Sequence, residues 1–306
     1  PQRPAPQSPA PQSRTNIDLP LYHFRKVIME AALSVDCPEN PLKMENAQQD
    51  DQTDGKPCTL YQWFNQSQND SFSNSVDGSP FQSILGISSL QVAMRNDYQG
   101  DIYPYFNTNF DTKSQVEQYL DLNQATSMAQ FMVILTLKLA MSPKLGLSPL
   151  DYGLDVQEGM HKFMGSYSDI LSHHEVQVND LLSASSKFIE VAKAFNNTFD
   201  LSVPSLEFLG LHEYNDQLLE LERSFLASTN SAAFTFKHVI HGPSPLDANK
   251  VDFLPRLKAS VDMAKEDSKY WNLVKKEAFL VVDALEAAAC VLKNHLIFKH
   301  EEHQEI

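Results

Sequence analysis

The apolar residues of this chain change their spacing part-way along it. From about residue 115 they recur every three or four positions, which is the period of an amphipathic α-helix. The spacing predicts five long helices, at 115–141, 153–172, 176–195, 212–227 and 270–296. Upstream it predicts one amphipathic helix in LPLYHFRKVIMEAAL, a short helix in LYQWFNQ and a buried strand in ILGISSLQVAM. The pattern therefore indicates a mostly α protein with a small α/β portion near its beginning.

The last predicted helix has an unusually small apolar face. Ala284, Ala287, Ala288 and Ala289 lie on or beside it, and small side chains let a second helix approach closely. The pattern is compatible with a contact between subunits and with packing within the chain, and it does not distinguish between them. Cys290 falls in the same apolar run, so we expect it in the core.

Segments of low apolar content lie at both ends and between the predicted helices. Residues 1–18 are rich in Pro and small polar residues, which predicts a disordered linker, and residues 299–306 form a polar tail. Gln, Asn and Asp dominate 38–57, which predicts a mobile loop. Segment 234–256 carries Gly and Pro breakers and is predicted to be irregular.

The charge of the chain excludes some classes of function. Its 306 residues carry a formal net charge of -15, so nucleic-acid phosphates would be repelled, and no basic patch offsets this. The most apolar stretch, 131–141, is too short to span a bilayer. The chain contains no Gly-rich phosphate loop and no Gly-x-Ser-x-Gly elbow, so no cofactor is predicted. His238 and His241 have metal-ligand spacing but no third ligand nearby, which makes a metal role the weaker alternative.

Cysteines and sequons bear on the cellular compartment. Cys37 and Cys58 flank the polar loop and are predicted either to form a disulfide or to stay reduced, with neither alternative favoured. Asn65, Asn69 and Asn196 begin Asn-x-Ser/Thr sequons and are candidate glycosylation sites. The sequons favour an extracellular setting.

Several blocks together resemble a known family. YNDQLLELERSFL, FKHVIHGPSP and WNLVKKEAFLVVDALEAAACVL are similar, in order and spacing, to the helical dimerisation domain shared by the transferrin receptor and the glutamate carboxypeptidase II family. LGISSLQVAM followed by DIYPYFNTNFDT resembles the last strand and metal-site loop of that family's zinc-peptidase-like domain. The resemblance implies a remnant of the peptidase-like domain at 19–113 and a helical dimerisation domain at 114–298. It also implies a homodimer.

The same resemblance implies that the active site has degenerated. Where active members have Tyr-His, with His as zinc ligand and Tyr donating to the oxyanion, this chain has Phe106 and Asn107. Phenylalanine has no hydroxyl, and a neutral carboxamide binds zinc poorly compared with imidazole. No catalytic or metal-binding residue is therefore expected in this chain.

The substrate-binding positions of the family also differ here. Gln91 and Ala93 stand where arginines bind an acidic substrate, and neither can replace a bidentate Arg–carboxylate contact. A Lys-Tyr pair of the family matches Lys250 and Val251, so Lys250 is vestigial. The substrate pocket is expected to be lost together with the metal site.

The sequence favours a catalytically inactive homologue, a pseudoenzyme most similar to the N-acetylated-alpha-linked acidic dipeptidase-like type, that keeps a dimerisation or partner-binding role. Two alternatives are an active zinc carboxypeptidase with its other ligands upstream, and a transferrin-receptor-like binding ectodomain. A third is a truncated product that folds poorly alone. The resemblance implies a type II membrane glycoprotein as parent, with this part outside the cell, although the chain itself shows no targeting or transmembrane signal. The protein partner is not identified.

Overall fold

The computed structural model describes residues 24–38, 58–65, 79–90, 105, 108–119, 122–202, 208–228, 233–244 and 251–301. Their helices and strands are, in chain order, α1 (Arg25–Ala32), α2 (Leu60–Asn65), α3 (Ser79–Ser83), α4 (Lys113–Tyr119), α5 (Leu122–Met141), α6 (Pro149–His173), α7 (Val178–Ser202), α8 (Phe208–Ser224), β1 (His241–Pro243), β2 (Val251–Phe253), α9 (Pro255–Glu266) and α10 (Trp271–Glu301), with a 3-10 turn at Ser268–Tyr270. The mostly helical class predicted from the apolar spacing is confirmed.

The chain divides into two compact units that share its length unevenly. The first unit comprises Pro1–Asp18, Val27–Ser71 and Val92–Met141, and the second comprises Leu19–Lys26, Phe72–Gln91 and Ser142–Ile306. Helices α2, α4 and α5 belong to the first unit, and α6 to α10 belong to the second. The domain limits at 113 and 298 that the family resemblance implies stay a prediction.

In the described part of the first unit, α1 and α5 each bury apolar side chains. Ile28 and Ala31 of α1 and Phe131 and Leu135 of α5 are buried. Helix α2 begins with a reciprocal capping box: the Thr59 backbone N–H donates to Gln62 Oε1 at 2.9 Å, and the Gln62 N–H donates to Thr59 Oγ1 at 3.4 Å. This exchange satisfies two N–H groups that a helix start leaves without backbone partners.

The second unit is built around α10. This helix packs on α7, α8 and α9, and α6 packs on α7. The α6 start is well specified, because Ser148 accepts a hydrogen bond from the Asp151 N–H at 3.2 Å and Pro149 occupies the first helical position. The core contains large apolar side chains such as Phe188 and Phe195 of α7, which are fully buried.

A buried ion pair joins α9 to α10. Arg256 donates from Nε to Glu277 Oε2 at 2.8 Å and from Nη2 to Glu277 Oε1 at 2.9 Å. Its Nη1 also donates to the carbonyls of Phe236 and Lys237. A bidentate pair with further hydrogen bonds is the arrangement in which two buried charges compensate each other. The irregular segment before β1 is thereby fixed to both helices.

Several predicted boundaries differ from the structure. Of the single helix expected at 115–141, the structure describes α4 and α5, and residues 120 and 121 lie outside the described residues. Helix α9 and the antiparallel pair β1–β2 lie where an irregular segment or no element was expected. Residues 84–90 form a turn and an irregular segment instead of a buried strand, and Ile84, Leu85 and Ile87 are exposed. Within the described residues no strand lies beside this segment to pair with its backbone.

Candidate functional site

Helix α10 presents two chemically different faces. On its inner face, Val274, Val281 and Leu285 are buried against the neighbouring helices of the second unit. Ala284, Ala288 and Ala289 are buried as well, whereas Ala287 is exposed. Most of the small face therefore serves packing within the chain, which the spacing alone did not decide.

The outer face of α10 carries an exposed aromatic ring. Phe279 is 66% exposed, the largest exposure among the bulky apolar side chains described in the second unit. Cys290 is also exposed on this face, so its predicted core position is wrong. The periodic pattern misplaced it because Cys290 follows three consecutive alanines, and a run without polar residues does not mark which side of the helix faces outward.

A hydrogen-bonded cluster lies inside the second unit. The fully buried Glu222 of α8 accepts from Gln82 Nε2 at 3.0 Å and pairs with His238 Nε2 at 3.1 Å. The His241 backbone N–H donates to His238 Nδ1 at 3.0 Å. Because Nδ1 accepts a hydrogen bond, the proton of a neutral His238 belongs on Nε2, where it points at the carboxylate.

The cluster continues to the partly exposed end of β1. His241 Nε2 lies 2.9 Å from Asp155 Oδ2, and His241 Nδ1 lies 3.3 Å from the Tyr152 hydroxyl. Burial raises the pKa of Tyr152 well above its usual value, and the carboxylates of Glu222 and Asp155 raise it further. Tyr152 is therefore a neutral hydrogen-bonding group at physiological pH.

The cluster fixes structure instead of presenting a reactive group. Both ring nitrogens of His238 and both of His241 already contact protein atoms, so neither ring directs a lone pair at a shared metal position. Among the residues that the structure describes, no three His, Cys, Asp or Glu side chains are grouped to hold a metal ion. The contacts join α3, α6, α8 and β1 into one body. Sequence reasoning missed this cluster because its members are far apart along the chain.

The loop that resembles the family's metal-site loop is only partly described. Thr108 donates from its N–H and from Oγ1 to the Tyr105 carbonyl, at 3.0 and 2.7 Å. Helix α4 follows, and the Thr112 carbonyl accepts its first hydrogen bonds. Phe106 and Asn107 lie outside the described residues. At these two positions the sequence has one carboxamide and no imidazole.

The structure describes only some of the other predicted positions. Gln91, Ala93, Lys250 and Asn69 lie outside the described residues. Val251 begins β2 and pairs with Pro243. Asn65 ends α2, and Asn196 lies half-buried within α7. Cys37 and Cys58 form a disulfide with their Cα atoms 5.3 Å apart, beside the backbone bond from the Cys37 N–H to the Cys58 carbonyl.

Comparison with known families gives a match for much of the helical part. Residues 170–293 match the transferrin receptor-like dimerisation domain, which confirms the resemblance inferred from the sequence blocks. The matched range begins near the end of α6 and runs through most of α10. It includes the Glu222–His238 cluster, the Arg256–Glu277 pair and the outer face of α10.

Individual relatives extend the similarity toward the beginning of the chain. Aminopeptidase NAALADL1 of Rattus norvegicus is 29% identical over 227 residues, which cover 71% of this chain and 30% of the relative. The Mus musculus protein of the same name is 28% identical over 226 residues, with the same coverage. "Probable glutamate carboxypeptidase AMP1" of Arabidopsis thaliana is 27% identical over 227 residues, again 71% of this chain and 30% of the relative. The chain is thus homologous to glutamate carboxypeptidase-like proteins and spans less than a third of their length.

Within the part of the chain that the structure describes, no helix combines the length and apolar character needed to cross a bilayer.

Proposed function

We propose that this chain is the dimerisation part of a peptidase-like protein and holds two copies of that protein together. The observation that carries the proposal is the match of residues 170–293 to a dimerisation domain. The packing of the same residues supports it, because α7, α8 and α10 share one core and buried polar pairs fix the loops between them. A body of this kind can offer a preformed surface to a second copy.

Sedimentation velocity of the 306-residue chain tests the proposal directly. At micromolar concentration we expect the mass of a dimer, with dissociation toward the monomer on dilution. Stable two-fold interfaces commonly bury roughly 1,200 Å² or more, which is enough for association in this range. A monomer at all concentrations up to about 100 μM, where even a weak dimer would form, would contradict the proposed role.

We further propose that the protein is catalytically inactive. Phe106 and Asn107 replace the Tyr-His pair of active relatives, so this loop lacks both a strong zinc ligand and a hydroxyl for the oxyanion. Gln91 and Ala93, in place of arginines, remove the charge complementarity for an acidic substrate. The loss affects metal binding and substrate recognition together.

One observation favours an active peptidase as the second candidate function. The similar proteins are named an aminopeptidase and a probable glutamate carboxypeptidase. This chain covers 30% of those relatives, so ligands for a metal site can lie in the part of a longer protein that corresponds to their remaining length. Asn107 would then have to act as a weak ligand through its amide oxygen.

Two measurements distinguish the inactive protein from the active peptidase. They are the zinc content and the hydrolysis of an acidic dipeptide, both measured on the longest natural form that contains this chain. We expect no stoichiometric zinc and no turnover, and Asn107→Ala should change neither quantity. Bound zinc with turnover in the unaltered protein, lost in Asn107→Ala, would establish the active alternative.

We also propose an extracellular setting for this part of the protein, with a type II membrane protein as its parent. The Cys37–Cys58 disulfide supports it, because such bonds persist in oxidising compartments. Sequons at Asn65, Asn69 and Asn196 are consistent with passage through the secretory route. Glycan release followed by mass spectrometry of the protein made through the secretory route should show which of the three carries a glycan.

A further inference from the structure

We propose that the outer face of α10 makes the contact between two copies of this chain, with the two α10 helices antiparallel about a two-fold axis beside Phe279. The inference rests on the proposed homodimer. It adds which surface forms the contact and which charges fix its orientation.

Phe279 supplies the apolar centre of this contact. Its ring is 66% exposed on an otherwise well-packed helix. Val282 is half-buried beside it, and the small side chain of Ala287 follows on the same outer side, so a second helix can approach closely. Aromatic side chains at the centre of an interface contribute more to affinity than peripheral contacts. In an antiparallel pair, the two Phe279 rings meet at the axis.

The charges along this face are self-complementary. The exposed stripe runs through Asn272, Lys275, Phe279, Asp283 and Glu286, with spacings that are symmetric about the phenylalanine. In an antiparallel pair centred on Phe279, each residue faces the one at equal distance on the other side of the centre. Lys275 therefore faces Asp283 of the second copy, and Asn272 faces Glu286. Symmetry forms each pair twice.

The opposite orientation is disfavoured by the same residues. Parallel helices in register would place Lys275 against Lys275 and Asp283 against Asp283, which repel. Charges at an interface select orientation and partner more strongly than they raise affinity. Complementary local charges also matter because each copy carries a formal net charge of -15, so two copies repel each other overall.

The intramolecular partners of these side chains are weak competitors. Lys275 Nζ lies 3.7 Å from Glu175 Oε2, and Glu286 Oε1 lies 3.3 Å from Lys187 Nζ. All four side chains are more than a third exposed. Exposed ion pairs contribute little to stability, so exchanging them for contacts with a second copy costs little.

Charge reversal gives a test specific to this geometry. Lys275→Glu alone places two Glu–Asp repulsions in its homodimer, and Asp283→Lys alone places two Lys–Lys repulsions. We expect each to raise the dimer Kd about tenfold. A mixture of the two variants restores both opposite-charge pairs, so the heterodimer should form with nearly the unaltered Kd. Native mass spectrometry of variants carrying tags of different mass counts homodimers and heterodimers directly.

Phe279→Lys tests the centre of the contact. We expect its dimer Kd to rise roughly 30-fold or more, as for other central aromatic residues. Leu154→Lys, on the outer side of α6, is the matched control and should keep the unaltered Kd. Circular dichroism and thermal melting of every variant separate lost association from lost folding, since both substituted side chains are exposed.

The outcomes distinguish this inference from the proposed homodimer. Preferential heterodimers together with weak Phe279→Lys association support the α10 contact. A dimer that shows no heterodimer preference and tolerates Phe279→Lys uses another surface, which overturns the inference and leaves the proposed homodimer standing. A monomeric unaltered chain overturns both.

Discussion

A buried pair of ionised side chains stabilises the second unit. Arg256 and Glu277 are almost completely buried. Their contact is bidentate, so each charge is compensated by the other. Removing one partner of such a pair commonly costs about 3–5 kcal/mol, because the remaining charge stays buried. Residue identity at these positions is therefore much more constrained than at exposed pairs such as Lys162–Glu158.

Tyr152 should give the folded protein a distinctive alkaline pH dependence. Burial raises its pKa above the usual value near 10, and the carboxylates of Glu222 and Asp155 add to the effect. The folded state holds the phenol proton more tightly than the unfolded state does. The resulting stability is fully present below about pH 10 and is lost as pH rises through the folded-state pKa.

Tyr152→Phe removes this titration while keeping the ring stacked on Phe225. In urea unfolding between pH 7 and pH 11, we expect the free energy of unfolding to fall less steeply above pH 10 than in the unaltered chain. The slopes should differ by at most about 1.4 kcal/mol per pH unit. Near pH 7 the variant should lose about 1 kcal/mol, from the hydrogen bond to His241. If the free energy of unfolding fell equally steeply with pH in both proteins, the pKa of Tyr152 would not differ between the folded and unfolded states.

Contacts between individual residues were the features that the sequence predicted least well. Glu222 and His238 are separated by 16 positions, and no local pattern marks a contact between a helix and an irregular loop. From their spacing, His238 and His241 were considered only as possible metal ligands. Their actual partners come from α6, α8 and the backbone, which only the fold brings together.

At the scale of elements, packing determines how much space each helix position has. Gly159 and Gly165 both belong to α6 and both lack a side chain, yet their surroundings differ. A Cβ atom at Gly159 would lie 2.7 Å from the Phe253 ring atoms Cγ and Cδ2, whereas one at Gly165 would meet nothing within 4 Å. One glycine is thus required by close approach of β2, and the other is not.

Alanine at these two positions should have opposite effects. Gly165→Ala should stabilise the chain by about 0.5–1 kcal/mol, because alanine loses less backbone entropy than glycine on forming a helix. Gly159→Ala should instead destabilise it by about 1–2 kcal/mol, because the Phe253 ring must move. Urea unfolding at neutral pH measures both. Equal stabilisation by both substitutions would mean that β2 yields freely beneath the added methyl group.

Element prediction worked where the apolar period was long and failed where breakers were present. The helices α6, α7, α8 and α10 follow an uninterrupted spacing of three and four. Helix α9 was missed because Pro255 resembled a breaker, although proline at the first helical position starts a helix. Leu257, Val261 and Ala264 are buried at helical spacing and were the available signal.

At the scale of the whole molecule, the chain consists of two units with different means of stabilisation. The second unit relies on a large helical core and buried polar pairs. In the part of the first unit that the structure describes, fewer apolar side chains are buried, and a disulfide joins Cys37, which follows α1, to Cys58, which precedes α2. The family resemblance anticipated the helical part by ordered sequence blocks, but it did not indicate this difference in stabilisation.

Reduction of the disulfide should therefore weaken the two units unequally. A cross-link with a sequence separation of 21 stabilises a chain by about 3 kcal/mol, mainly by restricting its unfolded state. With Cys37→Ser/Cys58→Ser, we expect faster hydrogen exchange in the Val27–Ala32 part of α1, while α7 and α10 keep their protection. Cys290→Ser is the matched control, because that side chain is exposed and lies in the second unit. Equal loss of protection in both units would show that they unfold as one cooperative body, and unchanged exchange in α1 would show that the cross-link contributes little to the first unit.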